Sequence, residues 1–290
     1  MKKLRYLAEA FLVYSLFAVF HALTPQAASR LGGFIGGRIG PLLSASRKAR
    51  RHIQLSLHTN NNDTNRIASG MWENLGSVFA EYPHLRELYM NRSELVGAAH
   101  LGSLPTSPDS PAIFFSGHLA NWEVSAPSLR QKNIDVDLIY RPPNNPYVKD
   151  ILDKCRSMDG TLKTYPKSSY GMRQVMSALK QGRRIGILID QKYNQGVAAN
   201  FFGRPAMTST AFIQLAKKFN CPLIPVQVER LEGANFRVTL HKPLDLTKSD
   251  DDLLREAHAL LEGWIRQHPA QWLWIHRRWR EEKTSDQAKE

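Results

Sequence analysis

An α/β fold, a mixed sheet flanked by helices behind an amino-terminal membrane-anchoring helix, is what this sequence predicts, and three observations predict it. Short apolar runs alternate with helical patterns from residue 112 onward. The most apolar stretch, "LAEAFLVYSLFAVFHAL" at residues 7–23, stands apart at the amino end. With 290 residues the chain can bury a substantial core in one domain.

The amino-terminal stretch comes first. As a helix its 17 residues reach about 26 Å, the short limit for crossing a bilayer. A signal peptide, a buried soluble helix and a membrane anchor all fit it. No small-residue cleavage site ends it cleanly, and a basic flank, "RKARRH" at Arg47–His52, suits anionic headgroups. Residues 1–52 hold nine lysines and arginines against the single acid Glu9. The anchor is therefore favoured, with the main body on the cytoplasmic side by the positive-inside rule. This divides the chain into an anchor with its basic segment, 1–52, and a main domain, 53–290. Between the apolar stretch and the arginines, "RLGGFIGGRIG" spaces Gly32, Gly36 and Gly40 four apart. That spacing suits either a flexible loop or a helix that lets another backbone approach closely, and the second reading is preferred.

The body follows. "HTNNNDTN" reads as a loop, and from residue 66 Ile67, Met71, Leu75, Val78 and Phe79 recur at helical steps until Pro83. Strands are expected at Ala112–Ser116, Val136–Tyr140, Ile185–Ile189, Leu223–Val228 and Phe236–Leu240. Helices are expected near 122–131, 147–158, 168–181, 208–219 and 251–267. In such sheets ligands collect beyond the carboxyl ends of the strands.

Composition narrows the function. A net charge of +13 favours acidic partners: nucleic acid, anionic lipid or an acidic carrier protein. No nucleic-acid motif is present. Cys155 and Cys221 lack metal-site spacing, so no metal is expected and a reducing compartment suits them. P-loop, dinucleotide, zincin and nucleophile-elbow motifs are missing too, so no cofactor is expected.

"FFSGHLANWEVSA", residues 114–126, carries the candidate chemistry. It places His118 five residues before Glu123. With 10 histidines and 26 acids in 290 residues about one such pair arises by chance, and three occur: His58 with Asp63, His118 with Glu123, and His276 with Glu281. Only His118 follows a buried strand, with Gly117 allowing a tight exit. His58 falls in the polar loop and His276 in a basic, tryptophan-rich tail. Five residues of regular helix would turn His118 and Glu123 about 140° apart. They meet only if His118 sits in the turn before a helix and Glu123 in its first turns. There a carboxylate would fix the imidazole tautomer, and the histidine could activate a hydroxyl. The competing reading is a purely structural His–Glu hydrogen bond.

Other polar groups end strands. "YRPPNNP" holds Arg141 on a stiff turn, "DQK" begins with Asp190, and "FFGRPA" sets Arg204 between Gly203 and Pro205. Guanidinium groups on stiff turns suit phosphate, although each alone also fits a surface salt bridge. Asp190 fits a helix cap or an arginine partner equally well.

Taken together, "SGHLANWE", "YRPPNNP", "DQK", "FFGRPAMT" and "WLWIHRRW" behind an apolar helix resemble the lipid A biosynthesis acyltransferases, the late lauroyl/myristoyl transferases within the bacterial lysophospholipid acyltransferase-like superfamily. The resemblance covers nearly the whole chain and implies a glycerolipid acyltransferase-like fold at the inner membrane. It implies an acyl–acyl carrier protein donor and a lipid A precursor glycolipid as acceptor, with neither cofactor nor nucleic acid. His118 would be the general base and Glu123 its orienting acid. Arg141 and Arg204, with Gly203 and Asp190 beside them, would bind substrate phosphate or phosphopantetheine. The Gly117 or Leu119 amide is the expected oxyanion donor. A glycerophospholipid acyltransferase, or a non-catalytic membrane-anchored binding protein, is the alternative.

Overall fold

The computed structural model describes residues 2–103, 110–157, 160 and 162–280. Five helices precede the sheet: α1 (Lys2–His21), α2 (Pro25–Ile39), α3 (Ala45–Leu57), α4 (Asn61–Glu81) and α5 (Leu85–Asn91). Then come β1 (Ser93–Val96), β2 (Ala112–Ser116), β3 (Val136–Tyr140), α6 (Pro146–Arg156), β4 (Thr164–Pro166), α7 (Ser169–Lys180) and β5 (Arg184–Leu188). The hairpin β6 (Val197–Phe201) and β7 (Arg204–Thr208) leads to α8 (Ala211–Lys218), β8 (Leu223–Arg230), β9 (Phe236–Leu240) and α9 (Asp250–Gln267).

Seven strands form one mixed sheet in the order β1-β9-β8-β2-β5-β3-β4. Every neighbouring pair is parallel except β8 with β9. All five residues of β2 are buried, as a central strand covered on both faces requires. Its side chains alternate between two cores. Ile113 and Phe115 join Val175, Phe212, Leu261 and Trp264 on one face, while Ala112 and Phe114 join Phe17, Val78 and Leu88 on the other. The expected α/β class is thus the observed one.

Helix ends follow local chemistry. Asn60, Asn145, Ser168 and Ser249 each accept a hydrogen bond from a backbone N–H in the first turn of α4, α6, α7 and α9. Asp250, Asp251 and Asp252 lie at the positive end of α9 and Arg266 at its negative end. Asn60 starts α4 at residue 61, so most of the stretch expected as a loop, Asp63 included, is the first turn of a helix. His58 caps α3 in the left-handed region and is exposed.

The glycine stripe is a helix, and α4 is what it packs against. A Cβ on Gly32 or Gly36 would run into the backbone of Gly76 or Trp72, and one on Gly40 into the Trp72 ring. α1 lies along the body. Phe17 packs edge-on to Phe79 at 5.1 Å, Phe20 is buried, and near the other end Glu9 and the Tyr6 carbonyl accept from Asn145. Of the large apolar residues exposed among the described residues, 12 of 17 lie between Leu4 and Leu43. Among the described residues α1 alone is long and apolar enough to cross a membrane, a test that a buried helix or a signal sequence also passes. The boundary expected between residues 52 and 53 falls inside α3, where His52 and Ile53 are both buried against the body. The helix expected at 122–131 is instead two 3-10 turns, Trp122–Val124 and Pro127–Lys132, because Pro127 interrupts the run.

Candidate active site

β2 and β5 are adjacent and parallel, with Ser116 opposite Leu188, so the residues that follow them emerge side by side. The Ile189 N–H donates to the Ser116 carbonyl, which sets Gly117-His118 against Asp190. Asp190 is fully buried and accepts three hydrogen bonds of 2.7 Å, from His118 Nδ1, the His118 backbone N–H and Trp272 Nε1. Burial pushes the Asp190 carboxyl up, but the His118 charge and these bonds outweigh it and hold it well below the usual carboxylate range. An ionised carboxylate accepting from Nδ1 puts the imidazole proton there and leaves the Nε2 lone pair available. The His118 side chain is 12% exposed.

Glu123, expected to orient His118, does not reach it. Ala120 adopts a left-handed φ of 49°, and the chain turns so that Glu123 enters a different buried cluster. Its Oε1 accepts from Tyr82 Oη at 2.6 Å, Arg156 Nη2 at 2.6 Å and Trp122 Nε1 at 3.1 Å; its Oε2 accepts from Arg156 Nε at 2.8 Å. Burial raises this carboxyl and Arg156 more than offsets it, so Glu123 stays ionised with a lowered pKa. Its link to the base is indirect: the Trp122 indole that it holds lies 5.2 Å from the His118 ring. The carboxylate on the histidine is Asp190, expected as a substrate-binding residue, a cap or an arginine partner.

The carboxy-terminal stretch closes the site from behind. The Ala120 N–H donates to the Gln271 carbonyl and the Leu273 N–H to the His118 carbonyl, with Leu119 bridged to Trp272. His276, expected to lie away from the chemistry, has its ring 5.0 Å from that of His118. Gln191 Nε2 lies 3.2 Å from His118 Nε2 and 3.3 Å from His276 Nε2. Glu281, the expected acid partner of His276, lies outside the described residues. The Leu119 N–H, one of two expected oxyanion donors, is already spent on the Gly117 carbonyl at 2.8 Å.

A cavity of about 1080 Å³ opens in front of His118. Met172, Val175, Met176, Phe212 and Leu215 give it an apolar wall, while Arg141, Arg156 and Lys167 bring cationic groups to it. Arg141 is exposed where β3 ends. Burial lowers the Lys167 pKa, and Arg141 and Arg278 press the same way against the opposing pull of Asp190.

Arg204 and Gly203, expected to hold an anion near the reacting centre, are not among the residues of this cavity. The Arg204 guanidinium stacks 3.8 Å above the Trp279 ring and donates to Ser56 Oγ at 2.7 Å. Gly203, with φ 71°, follows Phe202, with φ 52°, in the two-residue turn of the β6–β7 hairpin. The glycine is needed for that turn. Among the described residues no cluster of three metal-ligating side chains occurs.

In this α/β protein a carboxylate-held histidine opens on a cavity with an apolar wall and several cationic groups. The chain belongs to the bacterial lipid A biosynthesis acyltransferase family, whose model matches residues 1–281. It is also similar to a lipid A biosynthesis acyltransferase of Haemophilus influenzae, 22% identical over 189 residues. The match takes in 63% of this chain, which spans 58% of that relative's length.

Proposed function

We propose that this protein transfers a fatty acyl chain from an acyl–acyl carrier protein to a hydroxyl of a lipid A precursor. The observation that carries the reading is the His118–Asp190 pair at the mouth of an apolar cavity, in a chain of this family. His118 Nε2 takes the hydroxyl proton, the oxygen bonds to the thioester carbon, and the carbon–sulfur bond breaks. The thiolate then takes the proton back from the imidazolium. Asp190 fixes the tautomer and stabilises the imidazolium between these steps. No acyl-enzyme and no metal is needed. Glu123 acts at one remove, by holding Trp122 against the histidine.

Arg141 and Lys167 are the cations that suit a glycolipid phosphate or the donor's phosphopantetheine. An anion between them would relieve the repulsion that Lys167 feels. The exposed apolar residues of α1 and α2 support placement at the inner membrane, with the basic groups of α3 on the cytoplasmic headgroups. α1 is held along the body over much of its length, which suits a helix embedded at the bilayer surface.

The test is product analysis with acyl carrier protein thioesters of several chain lengths, offering lipid A precursors and glycerophospholipid acceptors in parallel. Acylated lipid A precursor from the wild type, reduced about 10²–10⁴-fold in His118→Ala, is the expected result. Transfer to the glycerophospholipid alone, or none by a folded wild type, would overturn the reading.

A further inference from the structure

Gln191 sits in the middle of the site, and the reaction above leaves it without a part. Its side-chain nitrogen lies within hydrogen-bond distance of the Nε2 atoms of both His118 and His276. A primary amide nitrogen carries two protons, so one nitrogen can serve two acceptors. His118 is an acceptor at Nε2 because Asp190 holds its proton on Nδ1. His276 is kept neutral, its pKa lowered to about 4 by burial and then by His118, so one ring nitrogen carries a lone pair, which faces Gln191 in the tautomer with the proton on Nδ1.

The lone pair that Gln191 occupies on His118 is the one that must take the hydroxyl proton. An acceptor hydroxyl therefore has to displace one N–H of the amide. The other N–H still holds the nitrogen beside His276, so the freed donor stays next to the reacting atoms. A donor at about 2.7–3.1 Å from the oxygen that becomes negative is what an acyl-transfer site requires. Of the two amides expected from sequence, Gly117 and Leu119, the Leu119 N–H is spent on the Gly117 carbonyl, and the His118 N–H between them donates to Asp190.

We propose that Gln191 is a catalytic residue whose side-chain amide yields His118 to the acceptor hydroxyl and donates the freed N–H to the oxyanion at the acyl carbon. His276 is the positioning residue that keeps the amide in place. The inference rests on the acyl transfer proposed above. The hydroxyl proton goes to His118, the carbonyl π pair goes to the oxygen that Gln191 meets, and collapse restores the carbonyl as the thiolate leaves and takes the proton from His118.

The experiment is steady-state kinetics of the full chain as wild type, Gln191→Ala and Gln191→Glu, varying thioester and glycolipid separately across pH. Gln191→Ala should lower kcat about 10²–10³-fold with both KM values nearly unchanged, because the donor acts on the transition state. Gln191→Glu should be slower still. Its carboxylate accepts from both imidazoles and raises their pKa, so the rising limb of kcat/KM should move to higher pH. A Gln191→Ala enzyme with wild-type kcat, or one whose loss appears wholly in KM, would overturn the inference and leave the proposed function standing. A folded wild type inert toward every acceptor would overturn both. Nitrogen chemical shifts of the imidazoles give a second readout. Gln191→Ala should move the Nε2 signals of His118 and His276 together, and signals that stay in place would remove the shared amide.

Discussion

Asp190→Asn separates the two carboxylates that sequence and geometry offer as partners of His118. The substitution keeps shape and removes charge. Oδ2 receives two donors, the His118 backbone N–H and Trp272 Nε1, whereas Oδ1 receives one, His118 Nδ1. An asparagine has a single oxygen, and it satisfies more donors by turning that oxygen toward the pair. Its NH2 then faces His118 Nδ1 and forces the ring into the opposite tautomer, with the proton on Nε2 and no lone pair toward the cavity. The expected loss in kcat/KM is about 10²–10⁴-fold, or about 2.7–5.4 kcal/mol of transition-state stabilisation. Stability should change less, because all three hydrogen bonds survive in rearranged form. Glu123→Gln is the counterpart. It leaves His118–Asp190 intact but strips Arg156, 12% exposed, of its buried counter-charge. Breaking one side of such a pair costs about 3–5 kcal/mol of stability, with a smaller effect on kcat in protein that remains folded. Acyl-transfer kinetics together with urea unfolding of both variants decide the matter. A fast Asp190→Asn enzyme beside a folded, stable but slow Glu123→Gln enzyme would refute the assignment.

Acid should weaken the fold through two histidines, the buried His258 and the half-buried His276. Burial, reinforced by Arg278 at His258 and by His118 at His276, lowers both to about 4 from the usual 6.5. Each folded form resists protonation, so its contribution is complete above about pH 6.5 and is lost as pH falls toward 4, up to about 3 kcal/mol apiece. Urea unfolding between pH 7 and 4.5 should show a shallower decline in His276→Gln; parallel declines would count against it. At the α2–α4 crossing, Gly36→Ala should cost about 1–3 kcal/mol because its Cβ meets the Trp72 carbonyl. Gly37→Ala, whose Cβ comes no nearer than 3.6 Å to the facing α4, should be neutral or stabilising by up to about 1 kcal/mol. Equal melting temperatures for the two would contradict the close crossing. The double variant Phe11→Glu, Leu12→Glu, at positions 77% and 59% exposed, should release the protein from anionic vesicles in flotation while changing stability by less than about 1 kcal/mol. Undiminished flotation would remove α1 from the membrane contact.

The sheet was legible where strands are buried on both faces. Ala112–Ser116 is a short run buried throughout, with nowhere to lie but a core, and Phe236–Leu240 was legible instead from its alternation of buried apolar and half-buried polar residues. The β6–β7 hairpin was hidden because its turn is Phe202-Gly203, with a phenylalanine in the left-handed region in place of the asparagine or aspartate that normally announces such a turn. β1 and β4 have only four and three residues. At the site, His118 was legible from its place after a buried strand, but its partner was not. Glu123 is near in sequence and is turned away by the backbone at Ala120. Asp190 is 72 residues distant and arrives because β5 lies beside β2. Strand order is a tertiary property that no local pattern encodes. The signal that was available, a strand ending in "DQK", marks a polar group at a carboxyl end without naming its neighbour.

The wall behind the histidine has a consequence for how the site is assembled. Trp272, Gln271 and Leu273 clasp the 118–120 turn, so the dyad closes only around the last tenth of the chain. The histidine turn thus has no fixed back until residues 271–273 are docked on it. Under the proposed function, a chain cut before residue 271 should keep its apolar amino-terminal helices and lose acyl transfer.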